Sequence, residues 1–387
     1  MNKIKIIHNL EKWLPQTMPW LYEQLNNMPG EEVENIIVCE KKVFMEQFQL
    51  PNIYSLDNEN CIQSFYRRVI RRAGIKTATT LLEKIIEKEK PQILHSHFGY
   101  FGWFNYRLAQ KYRLKHVVTF YGVDVNKLPQ KKIWKKRYLE MFQHIDLCLC
   151  EGPYMAECIK KLGCPPEKLK IQRIGINTEK IKFVPRIIKK DEPLHFFVAS
   201  VFREKKGIPF AIEAFRLLQK HTDNFRVTMI GDAGKTRPEE QKEKKRILEA
   251  IGKFNMESKI TQLGFVSHSD MIKEAYNSQI FVSPSIVSSD GDTEGGAPVG
   301  IIEMAASGMP VISTTHCDIP FVLGEPNKKL LVEERNPEQL VQAILKFLDY
   351  SEQEKNHLIN ANREHIKKNM DVRSCAAELL KKYKELL

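Results

Sequence analysis

Residues 279–314 read QIFVSPSIVSSDGDTEGGAPVGIIEMAASGMPVIST. An apolar run leads into a polar, glycine-bearing loop, then an apolar helix-forming stretch, then a second apolar run. Taken as strand, loop, helix and strand, this is one unit of a parallel α/β sheet. Pro298 suits the first helical position, where a missing N–H costs nothing. The helix it opens is apolar at Ile302, Ala305 and Ala306, yet it carries Glu303 roughly one and a half turns in. Taken alone, a glutamate facing water or a lysine explains this as well as one that meets a polar ligand.

Working outward, the same alternation fills the chain. In the first half the strand candidates are IKIIHN, ENIIVCE, PQILHSHFG, HVVTFYG, IDLCLCEG and KIQRIG, with amphipathic stretches such as FGWFNYRLAQKY between them. A polar, proline-bearing stretch at 183–193, FVPRIIKKDEP, reads as a linker. The pattern then restarts with HFFVASV, FRVTMIGD, KITQLGFV, QIFVSPS and PVISTT, and from Pro337 onward only helices are expected. The organisation expected is two Rossmann-like, doubly wound α/β domains facing a cleft, at 1–182 and 183–370. A C-terminal helix at 371–387 is expected to pack back on the first domain. In such sheets ligands bind at the carboxyl ends of the strands, so the chemistry belongs in post-strand loops.

Bulk composition narrows the function classes. The chain has 387 residues, 42% hydrophobic and 28% charged, as in a globular protein of about two domains. The start, MNKIKIIHNL, alternates like a strand and lacks the features of a signal peptide. No stretch approaches the ~20 apolar residues needed to cross a bilayer. Eight cysteines are scattered without paired CxxC spacing, which argues against zinc and for free thiols in a reducing cytoplasm. A net charge of +12 favours anionic partners without choosing among nucleotides, nucleic acid, headgroups and phosphorylated substrates.

Three motifs are decoys. IGDAGKT at 230–236 resembles a P-loop, but the required first glycine position is Met229, so NTPase chemistry is disfavoured. Asp290 and Asp292 in DGD form an acidic pair of a kind common in solvated turns. No GxGxxG follows the first strand, which disfavours a nicotinamide dehydrogenase.

The constellations that remain lie in loops after strands. Gly295, Gly296, Ala297, Pro298 and Val299 surround a helix N-terminus, where free N–H groups and the helix dipole favour anionic or hydroxyl-rich ligands. Helical side chains lean toward the N-terminus, so Glu303 can present its carboxylate there, where ribose hydroxyls would satisfy it. In SVFREKKGI, Arg203, Lys205 and Lys206 bunch before a helix and suit a diphosphate, a solvated basic turn being the plain alternative. In the first half, LHSHFGYFGW places His95 and His97, and VTFYGVDV places Tyr121, Gly122 and Asp124, in two post-strand loops fit for an acceptor site. A lone histidine in such a place is usually structural.

These segments resemble glycosyltransferase family 4, retaining enzymes of the GT-B architecture. The likeness spans nearly the whole chain and is strongest at TEGGAPVGIIEMAASGMPVIST, with REKKGI, QLGFVSHSDM, FVSPS and RIGIN in support. HSHFGY and FYGVDV are similar to the transferases of bacterial exopolysaccharide and colanic-acid-type assembly. The resemblance implies that Glu303 binds the nucleotide ribose and Glu294 the donor sugar. Eight residues separate these glutamates where the family has seven, so GGAP carries an extra residue, with Gly295 at the strict spacing. It further implies that Lys206 and Arg203 hold the diphosphate, although Val201 occupies the family's arginine position. Gly264, Phe265 and Val266 would hold the base through their backbone. Tyr121 stands where many members have histidine and would donate a hydrogen bond to the donor sugar; His97 and Asp124 lie on the acceptor or sugar side. The implied reaction is retaining hexosyl transfer from a nucleotide-sugar, UDP favoured over GDP, with no essential metal and no cofactor.

The segments SFYRRVIRRAGIKTATTLLEKII (64–86) and KKIWKKRYLEMF (131–142) mix cations with aromatic residues at helical spacing. They suit an anionic membrane surface as well as they suit an ordinary basic helix face. The former use implies a cytoplasmic enzyme, peripheral on the inner face of the plasma membrane, acting on a lipid-linked saccharide. Three alternatives stay open at this point. One is a basic nucleic-acid-binding protein, against which the dispersed charge and missing recognition module argue. Another is a non-catalytic partner on the same fold, and the third is a sugar epimerase of that architecture.

Overall fold

A computed structural model describes residues 3–15, 18–58, 78–189 and 192–387. The chain divides into two compact units, one of Met1–Gly175 with Val372–Leu387 and one of Ile176–Asp371.

The first unit is a seven-stranded sheet. Its strands are β1 (Ile4–Trp13), β2 (Val33–Lys42), β3 (Asn52–Ser55), β4 (Ile93–His97), β5 (Lys115–Thr119), β6 (Leu147–Cys150) and β7 (Leu169–Ile171). They are ordered β3-β2-β1-β4-β5-β6-β7, and every pair is parallel. The second unit has six parallel strands, β8 (Leu194–Ala199), β9 (Phe225–Ile230), β10 (Ile260–Gly264), β11 (Ile280–Ser283), β12 (Val311–Thr314) and β13 (Leu331–Val332). Their order is β10-β9-β8-β11-β12-β13. Both are doubly wound, with the strand order reversing next to β1 and next to β8. Such strands are covered on both faces, which is why they read as unbroken apolar runs such as Phe196–Val198 and Ile280–Val282.

Each crossover helix packs its apolar face on the sheet. Ile208–Leu218 buries Ile208, Ala211, Ile212, Ala214, Phe215 and Leu218 against β8, β9 and β11. Its start is fixed by Gly207, whose φ is +63°. A Cβ at that position would lie 1.9 Å from the Pro284 carbonyl oxygen, so the loop after β8 can lie against the end of β11 only with glycine.

The stretch 176–189, read in part as linker, is docked on the second unit. Ile176 bridges Asp371, and the Val184 N–H donates to Ser307 O at 2.9 Å. Buried Arg186 donates to the carbonyls of Ser278, Ala275 and Ser307 at 3.0–3.1 Å. A guanidinium satisfied by fixed carbonyls holds its segment in place, so the two units part at Gly175/Ile176 rather than at 182/183. Helices Pro337–Asp349 and Glu352–Met370 stay with the second unit; Val372–Leu386 returns to the first. Among the described residues no helix is long and apolar enough to cross a membrane, and the seven cysteines form no disulfide.

Candidate active site

The second unit gathers its charged groups where the sheet order reverses, at the carboxyl ends of β8 and β11. Lys206, in the one-turn helix Glu204–Lys206 after β8, donates to Glu294 Oε2 at 2.9 Å. The other oxygen, Oε1, accepts from Ser285 Oγ at 3.0 Å. Both side chains are largely buried, at 18% and 6% exposure. Burial pushes the Glu294 carboxyl up, but Lys206 and Lys205 outweigh it and bring it to about 2. Burial also lowers Lys206, against the pull of Glu294. Lys205 braces the same loop, donating to the Thr293 carbonyl at 2.7 Å and pairing with Asp292 Oδ2 at 3.3 Å. That pairing, with Asp290 accepting from Ser288 Oγ and Asp292 N–H, makes the DGD stretch a cross-braced turn.

Arg203 stands apart from this pair. Its Nε donates to Glu240 Oε1 at 2.9 Å, and Glu240 Oε2 accepts from Gly234 N–H. Its terminal nitrogens have no partner among the described residues, which leaves a planar fork suited to a phosphate.

Glu303 is buried on the helix Val299–Ala306, whose N-cap is Pro298. The helix therefore opens one residue later than Pro298 suggested, since ψ of 130° keeps that residue extended. Glu303 Oε1 meets His268 Nε2 at 2.9 Å; Oε2 has no partner among the described residues. The Glu303 hydrogen bond holds the His268 imidazole above its ordinary value. His268 opens the helix His268–Tyr276, whose N-cap Ser267 follows Gly264, Phe265 and Val266, and Phe265 is exposed. Val266, Ala297 and Val299 pack on one apolar cluster with Ile302, so the Gly264–Val266 loop and the start of the Glu303 helix share a wall. At that start the Gly295 N–H is spent on Thr293 Oγ1, whereas the N–H groups of Gly296, Ala297 and Val299 have no partner among the described residues.

His316, after β12, is a residue the motifs did not single out. Its Nε2 accepts the Glu294 N–H at 3.1 Å, so its Nδ1 hydrogen goes to Glu334 Oε1 at 2.6 Å. His268 and Glu240 were missed as well. The signal for His268 was its place right behind the LGFV loop; His316 and Glu240 lie far in sequence from what they touch.

In the first unit the two predicted loops meet. Tyr121 Oη lies 2.6 Å from His97 Nδ1, and Tyr121 is half-buried between Trp20 and Phe98, ring centroids 5.0 and 4.8 Å away. Asp124 is fully buried and accepts the N–H groups of Gly99, Tyr121 and Gly122 at 2.7–3.0 Å. It is a clamp between the loops after β4 and β5, and burial pushes its carboxyl up to about 6 against those donors. Among the described residues one group could gather three metal-ligating atoms, His8, His95 and His97, all within 4.8 Å of one another.

The helix Lys132–His144 exposes Lys132, Ile133, Lys135 and Lys136, while Arg137 lies over Trp134 at 4.7 Å. Of the other basic segment, residues 64–77 lie outside the described residues; the rest falls in the helix Ala78–Glu89.

Residues 178–365 match the family Glycosyl transferases group 1, and residues 55–180 match Glycosyltransferase Family 4. The chain is 29% identical to the amylovoran biosynthesis glycosyltransferase AmsK of Erwinia amylovora, over 74% of this chain and 69% of that protein. It is 27% identical to WcaL of Escherichia coli K12, whose name assigns it provisionally to colanic acid biosynthesis as a glycosyltransferase, over 77% and 72%. The crystal structure of Anabaena HepE with UDP-glucose superposes with a TM-score of 0.77 at 13% identity, covering 99% of this chain and 100% of that one. The fold is thus that of the GT-B glycosyltransferases.

Proposed function

We propose, from the premise that this chain joins a Glycosyltransferase Family 4 domain to a Glycosyl transferases group 1 domain, that it transfers a hexose from a nucleotide-sugar to a saccharide acceptor. The donor is a UDP-sugar, with a GDP-sugar as second choice; the acceptor is carried on a lipid in bacterial surface polysaccharide biosynthesis. The observation that carries this reading is the buried Lys206–Glu294 pair beside the open N-terminus of the Glu303 helix. Such a place supplies cations for a diphosphate, carboxylates for sugar and ribose hydroxyls, and fixed N–H donors, all before substrate arrives.

In this reading the transfer retains configuration. The bond between the anomeric carbon and the β-phosphate oxygen breaks, and the acceptor oxygen bonds to that carbon on the same face. The acceptor's proton leaves with the diphosphate. Arg203 and Lys206 stabilise the charge that grows on the leaving group, the work a metal would otherwise do, so chelators are expected to leave the rate unchanged. Glu294 orients sugar hydroxyls, and Glu303 receives the ribose through its open Oε2. The exposed lysines and Ile133 of Lys132–His144 support docking on anionic lipid at the inner face of the plasma membrane. Failure to sediment with anionic vesicles at low salt would remove that part.

The decisive experiment is calorimetric titration of the wild type and Glu303→Ala with UDP, GDP and ADP in the presence of EDTA. Tight binding of one nucleotide, weakened at least tenfold in the variant, supports the reading and names the base. Binding of none of the three overturns it.

A further inference from the structure

Glu294 lies in the loop between β11 and the Glu303 helix, and no helix or strand fixes the backbone from Pro284 to Pro298. Its place must come from contacts, and residues behind β12 and β13 supply them. Glu334, just past β13, accepts the Val287 N–H with Oε2 at 2.7 Å and meets His316 Nδ1 with Oε1 at 2.6 Å. The next residue, Arg335, takes a left-handed φ of +60° and donates to the Val287 carbonyl, so both polar groups of Val287 are held. His316, buried in the loop after β12, carries the hold onward, its Nε2 facing the Glu294 N–H at 3.1 Å. Two residues further, the Asp318 N–H donates to the Gly296 carbonyl at 3.2 Å.

The hydrogens in this relay have one arrangement. A backbone N–H only donates, so His316 Nε2 is bare where it meets Glu294. The imidazole's single hydrogen is then on Nδ1 and goes to the Glu334 carboxylate, which accepts at both oxygens. Burial pushes the Glu334 carboxyl up, but the His316 and Val287 hydrogen bonds hold it below its ordinary value. Cys317 Sγ, 3.1 Å from the same Nε2, can add only a weak donor there. The far end of Glu294 is fixed as well, by Lys206 at Oε2 and Ser285 at Oε1. The residue is thus anchored from β12 and β13 through its amide, and from β8 and its own loop through its carboxylate.

We propose that Glu334 and His316 are positioning residues, which act through the Glu294 amide to set where its carboxylate meets Lys206. A side chain aimed from a loose backbone leaves its partner by a small backbone shift. With the amide anchored, Glu294 keeps Lys206 in reach before any ligand arrives. Glu334 selects the tautomer, because the hydrogen it takes from Nδ1 leaves Nε2 free to accept. The opposite tautomer, or an imidazolium, sets two N–H groups against each other at Glu294. The relay stands on these contacts alone, and it rests on the glycosyltransferase reading only for what the pair then does with a ligand.

Three measurements on the full chain test this, two of them without a ligand. In histidine 15N NMR at pH 7, assigned by the signal lost in His316→Gln, His316 is expected as the neutral Nδ1–H form. An Nε2–H form or an imidazolium overturns the relay. In 13C NMR of labelled glutamate carboxyls at pH 4, assigned with Glu294→Gln, Glu294 is expected to be ionised in the wild type. It should stay so in His316→Gln, whose amide can accept from Glu294 and donate to Glu334. In His316→Phe and Glu334→Leu it should be partly protonated. Equal ionisation in all of these folded proteins overturns the positioning role; if His316→Phe does not fold, Glu334→Leu decides. The third arm is calorimetric affinity for UDP or GDP, whichever the wild type binds. It is expected to fall about tenfold in His316→Phe and Glu334→Leu and to stay within about threefold in His316→Gln. Unchanged affinity beside a protonated Glu294 severs the relay from the ligand. A wild type that binds neither nucleotide sinks the glycosyltransferase reading and leaves the two spectroscopic arms to decide the relay.

Discussion

Glu294 and Lys206 define each other's charge. The pair costs desolvation on both sides, so removing one partner is worse than removing both. Lys206→Met takes the hydrogen-bonded cation away from a buried carboxylate and is expected to destabilise the second unit by about 3–5 kcal/mol. The double variant Lys206→Met/Glu294→Leu should recover most of that loss in urea titration while remaining inactive. If the double variant is no more stable than the single one, the pair is not the source of the cost. The pH dependence has a fixed sign. With the carboxyl moved from 4.5 unfolded to about 2 folded, folding favours its ionised form. That stability is present above pH 4.5 and is lost as pH falls toward 2, on the order of 3 kcal/mol in all. Glu294→Gln should remove this part of the acid sensitivity, as read from urea midpoints between pH 7 and pH 3. A variant curve parallel to wild type would contradict the ionised pair. In the sequence, the glutamate, the lysine and their loops were visible because each sits directly behind an apolar run. The partners were not: Ser285 folds back on Glu294 within one irregular loop, His316 reaches it from the loop after β12, and His8 looks like any mid-strand residue until β4 lies beside it.

Among the elements, the buried strands were legible because burial on both faces leaves a continuous apolar run. β3 and β13 were not. β3 is a four-residue edge strand, mostly half-buried, and β13 has two residues, too short for any periodicity. β1 runs on past the apolar IKIIHN to Trp13, since Leu10 and Trp13 still point inward while Glu11 and Lys12 are exposed. Loop geometry was the least visible, and two left-handed glycines in the second unit separate its causes. At Gly264, φ is +66° and an added Cβ would meet nothing within 4 Å. Gly264→Ala should therefore cost only the backbone term, about 1–2 kcal/mol. Gly207→Ala carries the same term and also drives a methyl into the Pro284 carbonyl, so the turn holding Lys205 and Lys206 must move. Its thermal midpoint should fall well below that of Gly264→Ala, and its nucleotide affinity should fall with it. Equal midpoints would mean that the contact between the β8 loop and the end of β11 is not what the glycine serves.

At the scale of the whole molecule, the chain order makes the two units unequal. The second is one continuous stretch, 176–371, whereas the first is closed by residues 372–387 arriving from the far end of the chain. Val372, Leu379, Leu380 and Tyr383 of that last helix are all buried. At about 1.5–3 kcal/mol for each buried valine or leucine side chain, the helix supplies a large share of the roughly 5–15 kcal/mol by which a domain is stable. It also completes polar groups that would otherwise be orphaned. Tyr383 meets buried His95 Nδ1 at 2.6 Å, and Gln172 Nε2 donates to the Cys375 carbonyl at 2.9 Å. A chain ending at Asp371 should therefore lose the first unit's cooperative unfolding transition. The second unit should keep its own transition, and with it the calorimetric nucleotide affinity that the proposed function assigns there. Residues 176–371 expressed alone should show that same transition and affinity. If the chain cut at 371 unfolds like the full one, the C-terminal helix is an appendage. If the first unit melts but nucleotide binding is lost as well, the second unit does not hold the donor by itself, and the assignment of Lys206, Glu294 and Glu303 to a self-sufficient nucleotide-sugar site fails.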